Sequence, residues 1–74
     1  MLKYAYMKNK EAVKIGKELR KAREATGLTQ AGVAGKAGIT TNYYAMVERG
    51  EKNITYKKMQ RILKVLNVKS LDNG

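Results

Sequence analysis

The sequence contains no cysteine and no histidine among its 74 residues. There is therefore no thiol nucleophile, no imidazole base and none of the usual zinc ligands, which removes most small-enzyme mechanisms and structural zinc sites. No cofactor is expected, and cysteine usage gives no sign of an oxidising compartment. Proline is also absent, so no residue forces a break in a helix. No apolar run is long enough to span a bilayer, and the residues after Met1 do not form the apolar stretch of a signal peptide. A cytoplasmic protein with no membrane partner is expected. Acids are scarce, at six against sixteen lysines and arginines.

What is present is a short chain rich in Lys, Ala, Leu and Glu, all good helix formers. This length makes one small domain, close to the lower limit for folding without a staple, and its composition indicates an all-α fold. The net charge of +10 is large, and a polyanion is its simplest partner. Solubility or an anionic membrane would also account for the charge alone. Its distribution is more informative. Lys52, Lys57, Lys58, Arg61, Lys64 and Lys69 lie in a stretch with no acid, and Lys14, Lys17, Arg20 and Lys21 form a second group. Between Ala25 and Val47 the only charged residue is Lys36. An uncharged segment between basic flanks is the pattern of base readout framed by phosphate contacts.

Residues 1–10 alternate Leu2, Tyr4 and Tyr6 with Lys3 and Ala5, which suits a short strand or a flexible N-terminal arm. Asn9 followed by Glu11 has the character of a helix start. Ala12, Ile15, Leu19 and Ala22 then mark one buried stripe, predicting a helix from about Lys10 to Ala25. Gly27 suits a left-handed cap. Thr29 is placed to cap a second, short helix carrying Val33, Ala34 and Ala37, which Gly38 ends. Gly32 and Gly35 weaken this helix unless close packing needs them. Thr40 is placed to cap a third helix running to about Arg49 and ended by Gly50. Tyr44, Val47 and Glu48 share one side of it, while Asn42, Ala45, Met46 and Arg49 share the other, with Thr41 at the leading edge. Thr55 is placed to cap a fourth helix with Met59, Ile62, Leu63 and Leu66 at core spacing, ended by Asn67. The domain is thus expected over 11–68, with 69–74 a short tail.

Two short helices about Gly38, the second presenting small polar residues, form the arrangement that enters a major groove. Leu28, Thr29 and Gln30, then Val33, Ala34, Ala37 and Gly38, then Ile39, Thr40, Thr41, Tyr43, Tyr44 and Val47, and finally Glu48, Arg49 and Gly50 resemble the Cro and phage-repressor (XRE) helix-turn-helix family. The resemblance spans about 15–68. Glu48, Arg49, Asn53, Thr55 and Lys57 are similar to the controller proteins of restriction-modification systems. It implies a lambda-repressor-like domain of four to five helices and a sequence-specific regulator of transcription, not an enzyme, acting on double-stranded DNA.

The same resemblance implies roles for particular residues. Thr41 and Asn42 should reach base edges, Asn by pairing with adenine and Thr by hydrogen bonding or touching a thymine methyl. Ala45 and Met46 would approach the groove through apolar contacts, with a core position the other reading of Met46, and Tyr43 would meet a base or phosphate from the flank. Gln30, at a helix N-terminus, should hold a phosphate, as should Arg49, Lys52, Asn53 and Lys57; the lysines could instead be simply solvated. Arg23 and Glu48 should form a structural ion pair. The family commonly adds a fifth helix that helps form the dimer. Here a homodimer is expected to use Val65, Leu66, Val68 and Leu71, or the arm carrying Leu2, Tyr4 and Tyr6, and RNA polymerase is a further expected partner. An antitoxin of the same fold that represses its own operon is the first rival function. A small basic ribonuclease is the second, and it would need a sheet that this pattern does not supply.

Overall fold

The computed structural model describes the backbone of residues 2–68 and the side chains of residues 10–68. Four helices occupy this span: α1 (Leu2–Thr26), α2 (Gln30–Ala37), α3 (Thr41–Glu48) and α4 (Tyr56–Leu66). Helix α1 starts a full eight residues before Lys10, so residues 2–10 are its first turns and not a strand. The physical reason is the lack of any breaker. Leu, Lys, Ala and Met dominate this segment, and Asn9 costs only a few tenths of a kcal/mol, about 0.5, inside a helix. The expected tail 69–74, with Leu71, lies outside the described residues, as do the side chains of Leu2, Tyr4 and Tyr6.

Helices α2 and α3 have eight residues each, too few to persist alone. Local chemistry fixes their ends, and tertiary contacts hold them. The Thr29 hydroxyl accepts a hydrogen bond from Gly32 N at 2.9 Å, Thr40 from Tyr43 N at 3.0 Å, and Thr55 from Lys58 N at 3.2 Å. Each such cap contributes about 1 kcal/mol. Helix α2 ends on Gly38 in the left-handed region, where Gly38 and Ile39 return their N–H groups to Gly35 and Ala34. That sharp exit turns the chain directly into α3. Asn67 closes α4 in the same conformation, with φ 61°.

The core draws Leu19 from α1, Val33, Ala34 and Ala37 from α2, Tyr44 and Val47 from α3, and Ile62, Leu63 and Leu66 from α4. Leu66 is therefore a core residue and cannot belong to an exposed dimer patch, while Val65 and Val68 are half-buried against the same cluster. Helix α1 crosses the end of α3 at two glycines. A Cβ on Gly16 would lie 2.6 Å from the Val47 carbonyl oxygen and closer still to that of Glu48. A Cβ on Gly50, at φ 77°, would lie 2.7 Å from Val13 Cα. These two contacts set how close α1 lies to the end of the helix that carries the candidate site.

Gly35 is the contrasting case, because a Cβ there would meet nothing within 4 Å. Close packing does not require it. Gly35→Ala should therefore raise stability by about 0.5–1 kcal/mol, read as a higher urea midpoint with an unchanged slope.

Candidate nucleic-acid interface

Helix α3 buries Tyr44, Val47 and Glu48 and turns its other side to solvent. Thr41 and Asn42 are exposed at its first turn, and Ala45 and Met46 are half-exposed along the same face. Met46 is half-exposed and is not among the residues packed on the core. The Asn42 amide approaches Met46 Sδ at 3.8 Å, a weak contact that leaves its donor and acceptor available. This outward face therefore offers one amide, one hydroxyl and apolar surface, with no charge among Thr41, Asn42, Ala45 and Met46.

Tyr43 is placed differently. Its hydroxyl donates to the Asn53 carbonyl oxygen at 3.3 Å, and Lys58 Nζ stands 4.8 Å from the centre of its ring. The ring packs half-buried against the core. Its polar end thus braces the loop between α3 and α4, and the hydroxyl oxygen keeps its acceptor capacity for an outside contact. Asn53 takes part through its backbone, and its exposed side chain remains open to solvent, beside exposed Lys52. Lys57 is exposed at the start of α4 next to Tyr56, which is 79% exposed. No periodicity argument singled out Tyr56; only its exposure reveals it.

Beneath α3 lies a buried polar knot. Arg23 Nε donates to Glu48 Oε2 at 2.6 Å and Nη2 to Oε1 at 3.1 Å, a two-point pairing, while Nη1 donates to the Leu28 carbonyl at 3.1 Å. Their side chains are 14% and 4% exposed. Gln30 Nε2 donates to Glu48 Oε1 at 2.9 Å. Burial would raise the Glu48 pKa, but the hydrogen bonds from Arg23 and Gln30 outweigh it and hold the carboxyl below its usual range. The knot joins α1, the start of α2 and α3 through one carboxylate. The Tyr44 hydroxyl is buried beside it without reaching a hydrogen-bonding partner, and burial raises its pKa.

Gln30 was expected to hold a phosphate, and the structure gives its amide nitrogen to Glu48 instead. One N–H of that amide and its oxygen are left for any outside contact. Arg49 is also engaged, donating from Nε and Nη2 to the Glu51 carboxylate at 3.1 and 2.9 Å. This pair is about half exposed, and solvent-screened pairs of this kind contribute little. Exchange of Glu51 for a phosphate is therefore inexpensive.

No helix among the described residues is long and apolar enough to cross a membrane, and no group of metal-binding side chains occurs among them. The helix-turn-helix family model matches residues 19–72. The chain is similar in structure to the restriction-modification controller protein C.AhdI from Aeromonas hydrophila, with a TM-score of 0.78 and 32% sequence identity, over 80% of this chain and 89% of that one. A search of the curated protein sequences found no match. With Gly38 turning α2 into α3 and α3 turning an uncharged face outward, this chain belongs to the XRE-type helix-turn-helix family of DNA-binding transcription regulators.

Proposed function

We propose that the protein binds a near-palindromic operator as a homodimer, reading bases with Thr41, Asn42, Ala45 and Met46, and that it serves as the controller of a restriction-modification system. The observation that carries base readout is the uncharged, exposed face of α3, capped by Thr40 and flanked by basic residues. Asn42 has the two-pronged donor and acceptor that matches adenine, and Ala45 and Met46 present apolar surface suited to a thymine methyl. Lys52, Lys57, the Asn53 side chain and Arg49, once released from Glu51, surround this face and would hold phosphates. Gln30 would contribute its remaining N–H at the start of α2, where the helix dipole also favours an anion.

The controller role is supported by the likeness to C.AhdI. Dimerisation is favoured energetically, since one module of this kind buries only about 600–1,000 Å² on DNA. Val65 and Val68, half-buried in and just after α4, would contribute apolar surface to it. Occlusion of RNA polymerase at a promoter, or its recruitment, would follow from where the operator lies.

Selection of bound sites from random duplexes tests this reading. The expected outcome is a pair of inverted half-sites with centres about 10–10.5 base pairs apart, or a multiple of that spacing. Recovery of unrelated sequences would remove the base-reading claim, and a lone half-site would remove the dimer.

A further inference from the structure

The outer face of α1 carries a row of lysines that the DNA-reading face does not use. Lys10, Lys14, Lys17 and Lys21 are all exposed and recur at spacings of four, three and four, which places them on one side of the helix over about 17 Å. Lys14, Lys17 and Lys21 make no hydrogen bond or ion pair among the described residues. Each of these three precedes by two positions a residue of the inward side, respectively Gly16, Leu19 and Arg23. Two positions are about 200° around a helix, so the lysines stand directly across α1 from its packed face.

Their direction follows from how α1 meets α3. Gly16 abuts the Val47 and Glu48 carbonyls, and Arg23 grips Glu48. The lysines lie on the far side of α1 from those contacts, while Asn42, Ala45 and Met46 lie on the far side of α3 from its buried residues Tyr44 and Val47. The two surfaces therefore belong to different helices, and neither faces the contact between α1 and α3. The lysine row is not part of the surface that Thr41, Asn42, Ala45 and Met46 present. Lys10, Lys14 and Lys17 also precede residues 19–72, the part matched by the family model.

We propose that the lysine face of α1 binds the phosphate backbone of a second duplex, so that the protein bridges two DNA segments. This rests on the reading of α3 as the first DNA-binding face. Charge complementarity points to an external polyanion and argues against a second copy of the chain. Of the six acidic residues, Glu24, Glu48 and Glu51 are already paired with arginines, so another copy offers little to neutralise the row. Duplex DNA is the polyanion that binding through α3 keeps at high local concentration. The contact would be independent of sequence, because lysines on phosphates position without reading.

The test uses the full chain on an immobilised duplex carrying its selected site, with a labelled duplex lacking that site in solution. The wild type should capture the labelled duplex. The triple variant Lys14→Gln, Lys17→Gln, Lys21→Gln should occupy the immobilised site within about twofold of wild type and keep its helical circular dichroism, yet lose capture by tenfold or more, in line with about three lost phosphate contacts. A control with Lys36→Gln and Lys64→Gln, which removes charge elsewhere, should retain capture. Equal capture by the triple variant, no capture by wild type bound at its site, or capture of duplex RNA in place of DNA would each overturn the bridging proposal. Failure of the wild type to occupy the immobilised duplex would instead overturn the reading of α3, and bridging with it.

Discussion

Arg23→Met should destabilise the fold by about 3–5 kcal/mol, because it leaves the Glu48 carboxylate buried without its cation. For a chain of this length the whole stability is about 4–11 kcal/mol, so the variant should be largely unfolded near physiological temperature. The double variant Arg23→Met, Glu48→Leu should recover most of the loss, since a buried ion pair replaced by apolar side chains of similar size is often neutral. Acid titration supplies a second readout. Burial opposes ionisation of Glu48, but its hydrogen bonds from Arg23 and Gln30 prevail, and its folded pKa is depressed. A depressed carboxylate contributes stability fully above its unfolded pKa of about 4.3, and loses it as pH falls through the lower folded value. The wild type should therefore lose stability below about pH 4 more steeply than the double variant. Parallel acid profiles would show that the pair contributes nothing through its charge.

Gly16→Ala carries the second large effect, and its sign is the informative part. In an open helix interior this substitution gains about 0.5–1 kcal/mol, as expected at Gly35. At Gly16 the added methyl would overlap the Val47 and Glu48 carbonyls, which are backbone and cannot turn aside by a change of rotamer. Overpacking of this kind costs about 1–3 kcal/mol, and here a loss near 3 kcal/mol is expected in urea unfolding. Relief would require α1 to lift from the end of α3, and Arg23 would withdraw from Glu48 with it. A stability gain would show that the close approach of α1 to α3 is not a constraint on the fold.

The parts of this fold governed by neighbours in sequence were the legible ones. Thr29, Thr40 and Thr55 cap helices because a short side-chain oxygen can reach an N–H three residues on, whatever the rest of the molecule does. Gly38 and Asn67 end helices for an equally local reason. The start of α1 was not legible, since Asn9 and Glu11 imitate a helix start and Leu2, Tyr4 and Tyr6 imitate a strand, and nothing local rules either out. Gly16 was illegible for a different reason. In sequence it resembles Gly35, and only the path of α3 behind it distinguishes a required glycine from a tolerated one.

The candidate site divides in the same way. The outward set on α3 followed from periodicity, which separates Asn42, Ala45 and Met46 from Tyr44 and Val47. What periodicity cannot show is which polar groups are already occupied. Tyr43 is tied to Asn53 ten residues away and Gln30 to Glu48 eighteen away, distances over which spacing carries no signal. Arg49 is held by Glu51 only two residues on, a local contact that the basic character of Arg49 alone does not reveal. The pairing of Arg23 with Glu48 came from family likeness, because nothing at a separation of twenty-five residues suggests it.

Base reading by α3 is measured most directly by the ratio of specific to nonspecific affinity. On the duplex recovered by selection, Asn42→Ala should lose about 1–3 kcal/mol of binding while its affinity for unrelated duplex stays nearly constant, so that discrimination itself falls. Lys52→Ala provides the comparison, weakening both duplexes alike and reducing the salt slope by about one unit. Unchanged discrimination in Asn42→Ala, with the selected site still preferred as strongly as by the wild type, would contradict the assignment of base readout to this face of α3.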